Sequence, residues 1–271
     1  MTRLAYLTAI ALSLAAPALA SCSYGTHLHP REEGVPISQF SYTGLTGPLN
    51  WFGLNKTANE ACAKGHNQSP IDLDHSIHTI EGKSLCFNVE SFPYGAELEN
   101  LGTTVEVPAN GTLKADNKTY SLAQFHFHTP SEHRINSEYF PMEAHFVFSA
   151  PDKSTAVVAF LISLGHPNIL LSSVFEAIEE IATPGEITST GPLLFDALES
   201  HFKSHDVFTY SGSLTTPPCT EGVTWYISSL PLQIDELTYD RVKEVVKFNS
   251  RYTQNKLGEV NLLENIANEL K

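Results

Sequence analysis

A β-dominated single domain with peripheral helices is predicted by three observations. Short alternating apolar and polar runs broken by turn residues fill the middle of the chain. Sustained helical periodicity occurs in only two places. No internal repeat, low-complexity tract or linker divides the 271 residues, a length that supplies a sizeable core.

Taken in order, residues 1–20 carry one charge, Arg3, and then an apolar run ending Ala18-Leu19-Ala20. This reads as a secretory signal peptide with a small-x-small cleavage site, too short for a spanning helix, so the protein is expected to be secreted. Leu19-Ala20-Ser21-Cys22 keeps a bacterial lipoprotein open, but Asn55-Lys-Thr, Asn110-Gly-Thr and Asn117-Lys-Thr resemble N-glycosylation acceptors of a eukaryotic secreted chain. Residues 21–49, rich in Gly, Pro, Ser and Thr, are expected to form an irregular arm, and 50–271 the folded domain. Within it the alternation predicts strands at 103–108, 121–128, 144–149 and 155–164, with tight turns at Asn110-Gly111 and Asp116-Asn117. Helices are predicted at 172–181, where Val174, Phe175, Ile178 and Ile181 share a face, and at 237–248, where Val242, Val245 and Val246 do. Residues 207–211 and 223–227 return to strand character.

The formal net charge is −14, and loss of Arg3 with the leader makes the mature chain one unit more acidic. Such a surface argues against nucleic acid or an anionic membrane as partner and leaves an oligomer open. Four cysteines in an exported chain allow up to two disulfides in three pairings. Cys22, Cys62, Cys86 and Cys219 are too far apart for a zinc knuckle.

The densest chemistry lies in Gln124-Phe125-His126-Phe127-His128. On a strand, side chains at i and i+2 leave the same face with Cα atoms roughly 6.6 Å apart, so His126 and His128 converge while Phe125 and Phe127 turn away. A third imidazole, His145, follows in Met142-Glu143-Ala144-His145-Phe146-Val147. Gln124 shares the face of His126, and Glu143 that of His145, where each could hold the distal ring nitrogen as metal-site histidines require. Buried structural histidines are the alternative for any one pair; three together point to a metal. Three neutral imidazoles without thiolate predict zinc with an open fourth position, whose water would have a pKa of about 7. That chemistry fits hydration or hydrolysis, and zinc has no second oxidation state for redox work.

Further motifs lie in a fixed order: Gln68-Ser69-Pro70-Ile71-Asp72, QFHFHTPSEH at 124–133, the His145 strand, Ser213-Leu214-Thr215-Thr216-Pro217-Pro218-Cys219 and 221–225. With these motifs the chain resembles a secreted, eukaryotic microbial or fungal-like α-class carbonic anhydrase over about residues 50–255. The resemblance implies a central, twisted, mostly antiparallel sheet of about ten strands. It also implies one Zn2+ per chain and reversible hydration of carbon dioxide to bicarbonate and a proton by a zinc-bound hydroxide, with ester hydrolysis as a side activity.

Residue by residue, the resemblance implies His126, His128 and His145 as metal ligands, steadied by Gln124, the backbone carbonyl of Asn249 and Glu143. Thr215 would orient the hydroxide while donating to Glu132, and His133 would buttress the fold. Val147, Val157, Leu214 and Trp225 would form the apolar wall for carbon dioxide, with Thr216 on the polar side. Cys62 and Cys219 match a family disulfide, which leaves Cys22 and Cys86 by elimination, paired or not. Thr103 stands in the slot where fast family members carry a proton-shuttle histidine, and threonine does not titrate near neutral pH. His27 and His29 in the arm are substitutes by proximity only. Non-catalytic domains of this fold lack one or more of the ligand histidines, whereas this chain keeps all three together with Thr215 and Glu132.

Overall fold

Runs rich in β-branched and aromatic residues carry the longer strands into extended structure. A computed structural model describes residues 35–271; the leader, Cys22, His27 and His29 lie outside the described residues. Two short helices, α1 (Trp51–Leu54) and α2 (Glu60–Lys64), precede β1 (Asp72–Leu73), β2 (Thr79–Glu81), β3 (Cys86–Val89), β4 (Glu97–Asn100), β5 (Val105–Pro108) and β6 (Gly111–Ala115). Then come β7 (Lys118–His128), β8 (Arg134–Ile135), β9 (Glu138–Tyr139), β10 (Met142–Ser149), β11 (Thr155–Leu164) and α3 (Ile169–Val174). The chain finishes with β12 (Ile187–Ser189), α4 (Asp196–Ser204), β13 (Asp206–Ser213), β14 (Glu221–Ser228), β15 (Leu232–Ile234), α5 (Glu236–Val246) and α6 (Leu262–Glu269).

Twelve strands form one sheet in the order β12-β4-β5-β7-β10-β11-β14-β13-β2, with β15 on β11 and β3 joined through β6 to β7. Within this sheet pairing is antiparallel except where β11 meets β14 and β15, and a separate small sheet, β1-β8-β9, pairs β1 with β8 in parallel. The mostly antiparallel β architecture matches expectation, and the count exceeds about ten. Strands β2, β12 and β15 have three residues each, too few for a period of two to show.

Three local differences have physical causes. Asn110-Gly111 does not close a hairpin: β5 and β6 both pair with β7, at different points along its length. Gly111 instead permits close approach of β3, since a Cβ there would lie 2.4 Å from the Asn88 carbonyl oxygen. Asp116-Asn117 does form the tight turn, with φ of 48° and 61°. The predicted helix at 172–181 is α3 followed by a separate 3-10 turn, Ile178–Ile181. Its apolar face stays buried through Val174, Phe175, Ile178 and Ile181, although Ala177 leaves helical geometry at φ −118°, ψ 30°. Helix α6 was not predicted; none of its residues is buried.

The sheet separates two apolar layers. Phe125, Phe127, Phe146, Phe148 and Phe160 belong to the larger one, with Phe195 and Phe202 from α4 and the segment before it. Tyr120 and Leu122 point into this same layer despite their even numbers. The register between β7 and β10 shifts at Ala123, where Gln124 pairs Val147 but Leu122 pairs Phe148. That bulge reverses the alternation and lets Gln124, His126 and His128 face the smaller layer of Val147, Val157, Leu214 and Trp225.

Candidate metal centre

Strand register brings the three imidazoles together. His126 lies directly opposite His145, and His128 directly opposite Glu143, so all four share one face of β7 and β10. One nitrogen from each of His126, His128 and His145 lies within 4.8 Å of the others, and all three residues are buried. The opposite nitrogens are engaged. His126 Nδ1 donates to Gln124 Oε1, His128 Nδ1 to the Asn249 carbonyl, and His145 Nε2 to Glu143 Oε1, each at 2.8 Å. Because carbonyl and carboxylate oxygens only accept, each ring is held in the tautomer that leaves a lone pair facing the shared point.

Burial keeps these rings neutral. It holds His126 well below the ordinary histidine value, lowers His145, and lowers His128 to about 4. His128 Nε2 is buried with no hydrogen-bond partner, 3.5 Å from Glu132 Oε2, which is also without one. Three anchored neutral nitrogens, one of them orphaned, form a donor set suited to zinc.

Glu143 is the hub behind the centre. Oε1 accepts from His145 and, at 2.6 Å, from His133 Nδ1; Oε2 accepts the backbone N–H of Glu132 and of His133 at 2.8 Å. Burial alone would raise its pKa, but His133 and His145 outweigh that and hold it well below the carboxylate range. His133 passes the anchorage on through Nε2 to Tyr210 Oη at 2.7 Å, as a buttress would.

Glu132 is fully buried, which pushes its pKa up to about 7 against the pull of His145, the Arg251 N–H and the Thr215 hydroxyl. The Thr215 hydroxyl is thus close enough to favour the ionised form of Glu132, as the pairing expected from the sequence would require. Val147, Val157 and Trp225 lie in one row across β10, β11 and β14. The Trp225 ring packs 4.9 Å from that of His145, and Leu214 joins the same apolar cluster. Thr216 is buried, as is Thr103, whose hydroxyl bonds Ser38 Oγ at 2.8 Å.

Two buried acids escaped the sequence reading. Glu106 pairs with His126 across β5 and β7, and Glu99 pairs with Glu106 across β4 and β5, so both share the face of the centre. Between Val105 and Val107, Glu106 has the pattern of a solvent-facing residue; only the register reveals its direction. The disulfide Cys62–Cys219 is formed, while Cys86 is exposed on β3 and its candidate partner Cys22 lies outside the described residues. Asn55, Asn110 and Asn117 are all exposed.

Known proteins are similar to this chain in sequence and in fold. The sequence model of the eukaryotic-type carbonic anhydrase family matches residues 46–266. A carbonic anhydrase of Neisseria gonorrhoeae is 36% identical over 243 residues, 89% of each chain. The structure of the fungal α-carbonic anhydrase from Aspergillus oryzae is similar at a TM-score of 0.82 with 51% identity, covering 85% of this chain and 99% of that one. The Thermovibrio ammonificans α-carbonic anhydrase, solved with the inhibitor sulfanilamide, is similar at a TM-score of 0.70 with 31% identity, covering 80% and 95%. With its extended sheet, its three facing imidazoles and these relatives, the chain belongs to the eukaryotic-type carbonic anhydrase family of carbonate dehydratases.

Proposed function

We propose that this protein hydrates carbon dioxide reversibly, to bicarbonate and a proton, at a zinc ion held by His126, His128 and His145. The observation carrying this reading is that each buried imidazole has one nitrogen fixed by an acceptor and the other turned to a common point. Zinc, when bound, would supply a Lewis acid that lowers the pKa of a water to about 7 and so makes a nucleophile at neutral pH. The chain's own residues do the rest. In its ionised form Glu132 only accepts, so the Thr215 hydroxyl spends its proton on Glu132 and offers lone pairs to the centre. A single orientation of the attacking oxygen follows, which lowers the entropic part of the barrier.

Val147, Val157, Leu214 and Trp225 suit a small, uncharged, apolar substrate and exclude ordered water from its side. Thr216 supplies the polar side. Ester hydrolysis at an activated acyl carbon would use the same nucleophile. We also infer export, from the leader and from a disulfide that fits an oxidising compartment, with glycans at Asn55, Asn110 and Asn117. No helix among the described residues is long and apolar enough to cross a membrane.

The test is carbon dioxide hydration by the purified protein, before and after zinc removal by a chelator and after zinc is restored. Activity lost and regained with one zinc per chain is expected, as is inhibition by sulfanilamide. One bound zinc with no hydration would make the chain a non-catalytic member of the family.

A further inference from the structure

We propose that Arg251 is a positioning residue for the reaction, one side chain that fixes Thr215 and Glu132 relative to each other. This rests on the role given above to that pair.

Arg251 is 1% exposed and lies beyond α5 in a buried stretch without regular structure. Such a stretch has no ladder of its own, so side chains must set its path. At one end Asn249 does so: Oδ1 accepts the Thr129 N–H at 2.6 Å, and Nδ2 donates to the Thr103 and Phe127 carbonyls at 2.9 and 2.8 Å. At the other end the Arg251 guanidinium does so. Nη1 donates to the Ser69 carbonyl at 2.7 Å, and Nη2 to Gln68 Oε1 at 2.9 Å and the Cys62 carbonyl at 3.4 Å. The Trp51 ring lies against the guanidinium, 5.7 Å from Cζ to ring centroid. So anchored, the Arg251 N–H donates to Glu132 Oε1 at 2.8 Å.

The second half of the circuit reaches Thr215. Gln68, held through its oxygen by Arg251, donates through Nε2 to the Cys219 carbonyl at 3.0 Å. Cys219 ends the loop carrying Thr215, its N–H donates to the Thr216 carbonyl at 2.8 Å, and its sulfur is bonded to that of Cys62. Thus the guanidinium grips the Glu132 side through its own backbone and the Thr215 side through Gln68 and Cys62.

The guanidinium donates to two backbone carbonyls and one side-chain amide oxygen, none of them a carboxylate, and Nε is buried without a partner. A buried charge so weakly compensated is a costly way to fill space, where an apolar side chain of similar volume would serve packing better. A rigid planar fork able to bind several carbonyls at fixed angles is what an ammonium or an apolar chain lacks.

The experiment is a double-mutant cycle on the zinc-loaded, full-length secreted protein, with Arg251→Lys, Glu132→Gln and both together. Arg251→Lys is expected to lower kcat by about 10- to 100-fold, the scale of a small misplacement of reacting groups. KM should stay within about twofold, and one zinc per chain should be retained. In the Glu132→Gln background the same substitution should change kcat by less than about twofold, because residues acting as one unit do not add. Gln68→Ala, which removes the link to Cys219, should show the same non-additivity and keeps the test available if Arg251→Lys does not fold. Equal factors in both backgrounds would reduce Arg251 to a structural plug, and an unchanged kcat would overturn the proposal outright. A Glu132→Gln protein as fast as the parent would instead sink the reading of the site itself.

Discussion

Single side chains at the centre work through which atom is occupied and which is left open. In the proposed mechanism Thr215 is the clearest case, since its hydroxyl would be oriented by giving its proton to Glu132. Thr215→Ala is expected to lower kcat about 100-fold while zinc stays bound, as measured by stopped-flow hydration and metal analysis. The pKa shifts give a second expectation, for the zinc-free protein. His128 falls to about 4, and His126 and His145 also fall, through burial. The unfolded chain takes up protons at these rings near pH 6.5, so their contribution to stability is full above that and is lost as pH falls towards about 4. Glu132, raised to about 7, has the opposite sign: its contribution is present in acid and is lost as pH rises through about 7. Three imidazoles outweigh one carboxyl, so the melting temperature of the zinc-free protein should drop between about pH 7.5 and 5. A drop no smaller in His128→Asn would show that other groups are responsible. At this scale the convergence of the three imidazoles was legible, because i and i+2 on a strand fix direction locally. Glu99 and Glu106 were not, because their direction depends on partners in other strands.

Among the elements, β7 and β10 carry the centre on one face and the aromatic layer on the other. Phe146 is buried behind His145 and stacks on Phe125 with ring centroids 4.9 Å apart. Phe146→Ala should cost about 3–5 kcal/mol of stability, read by denaturant unfolding, since the cavity opens in a closely packed layer. A cost below about 1 kcal/mol would mean that the layer collapses to fill it. Strand existence was readable from alternation, and the β11 span 155–164 agrees with the structure. The bulge at Ala123 was invisible, because one inserted residue leaves both flanking patterns intact and only their relative phase changes. The break between α3 and Ile178–Ile181 was missed for a related reason: the apolar face continues where the backbone hydrogen bonding does not.

For the molecule as a whole, Cys62–Cys219 closes a separation of 157 residues and braces the loop that holds Leu214, Thr215 and Thr216. Replacing both cysteines by serine should lower stability by about 2–5 kcal/mol. A fall in kcat larger than any change in KM should accompany it, because the same loop carries Thr215. Unaltered kcat would show that the loop is held without the bridge. The sequence by itself determined the β class, the imidazole triad with Gln124 and Glu143, and the family, all of which rest on local spacing or ordered motifs. Tertiary structure alone decided that Glu106 faces His126, that Gly111 marks a close approach rather than a hairpin, and that Arg251 joins Glu132 to the disulfide loop. Such relations join residues far apart in the chain, and spacing along a strand carries no information about which distant strand or loop will lie beside it.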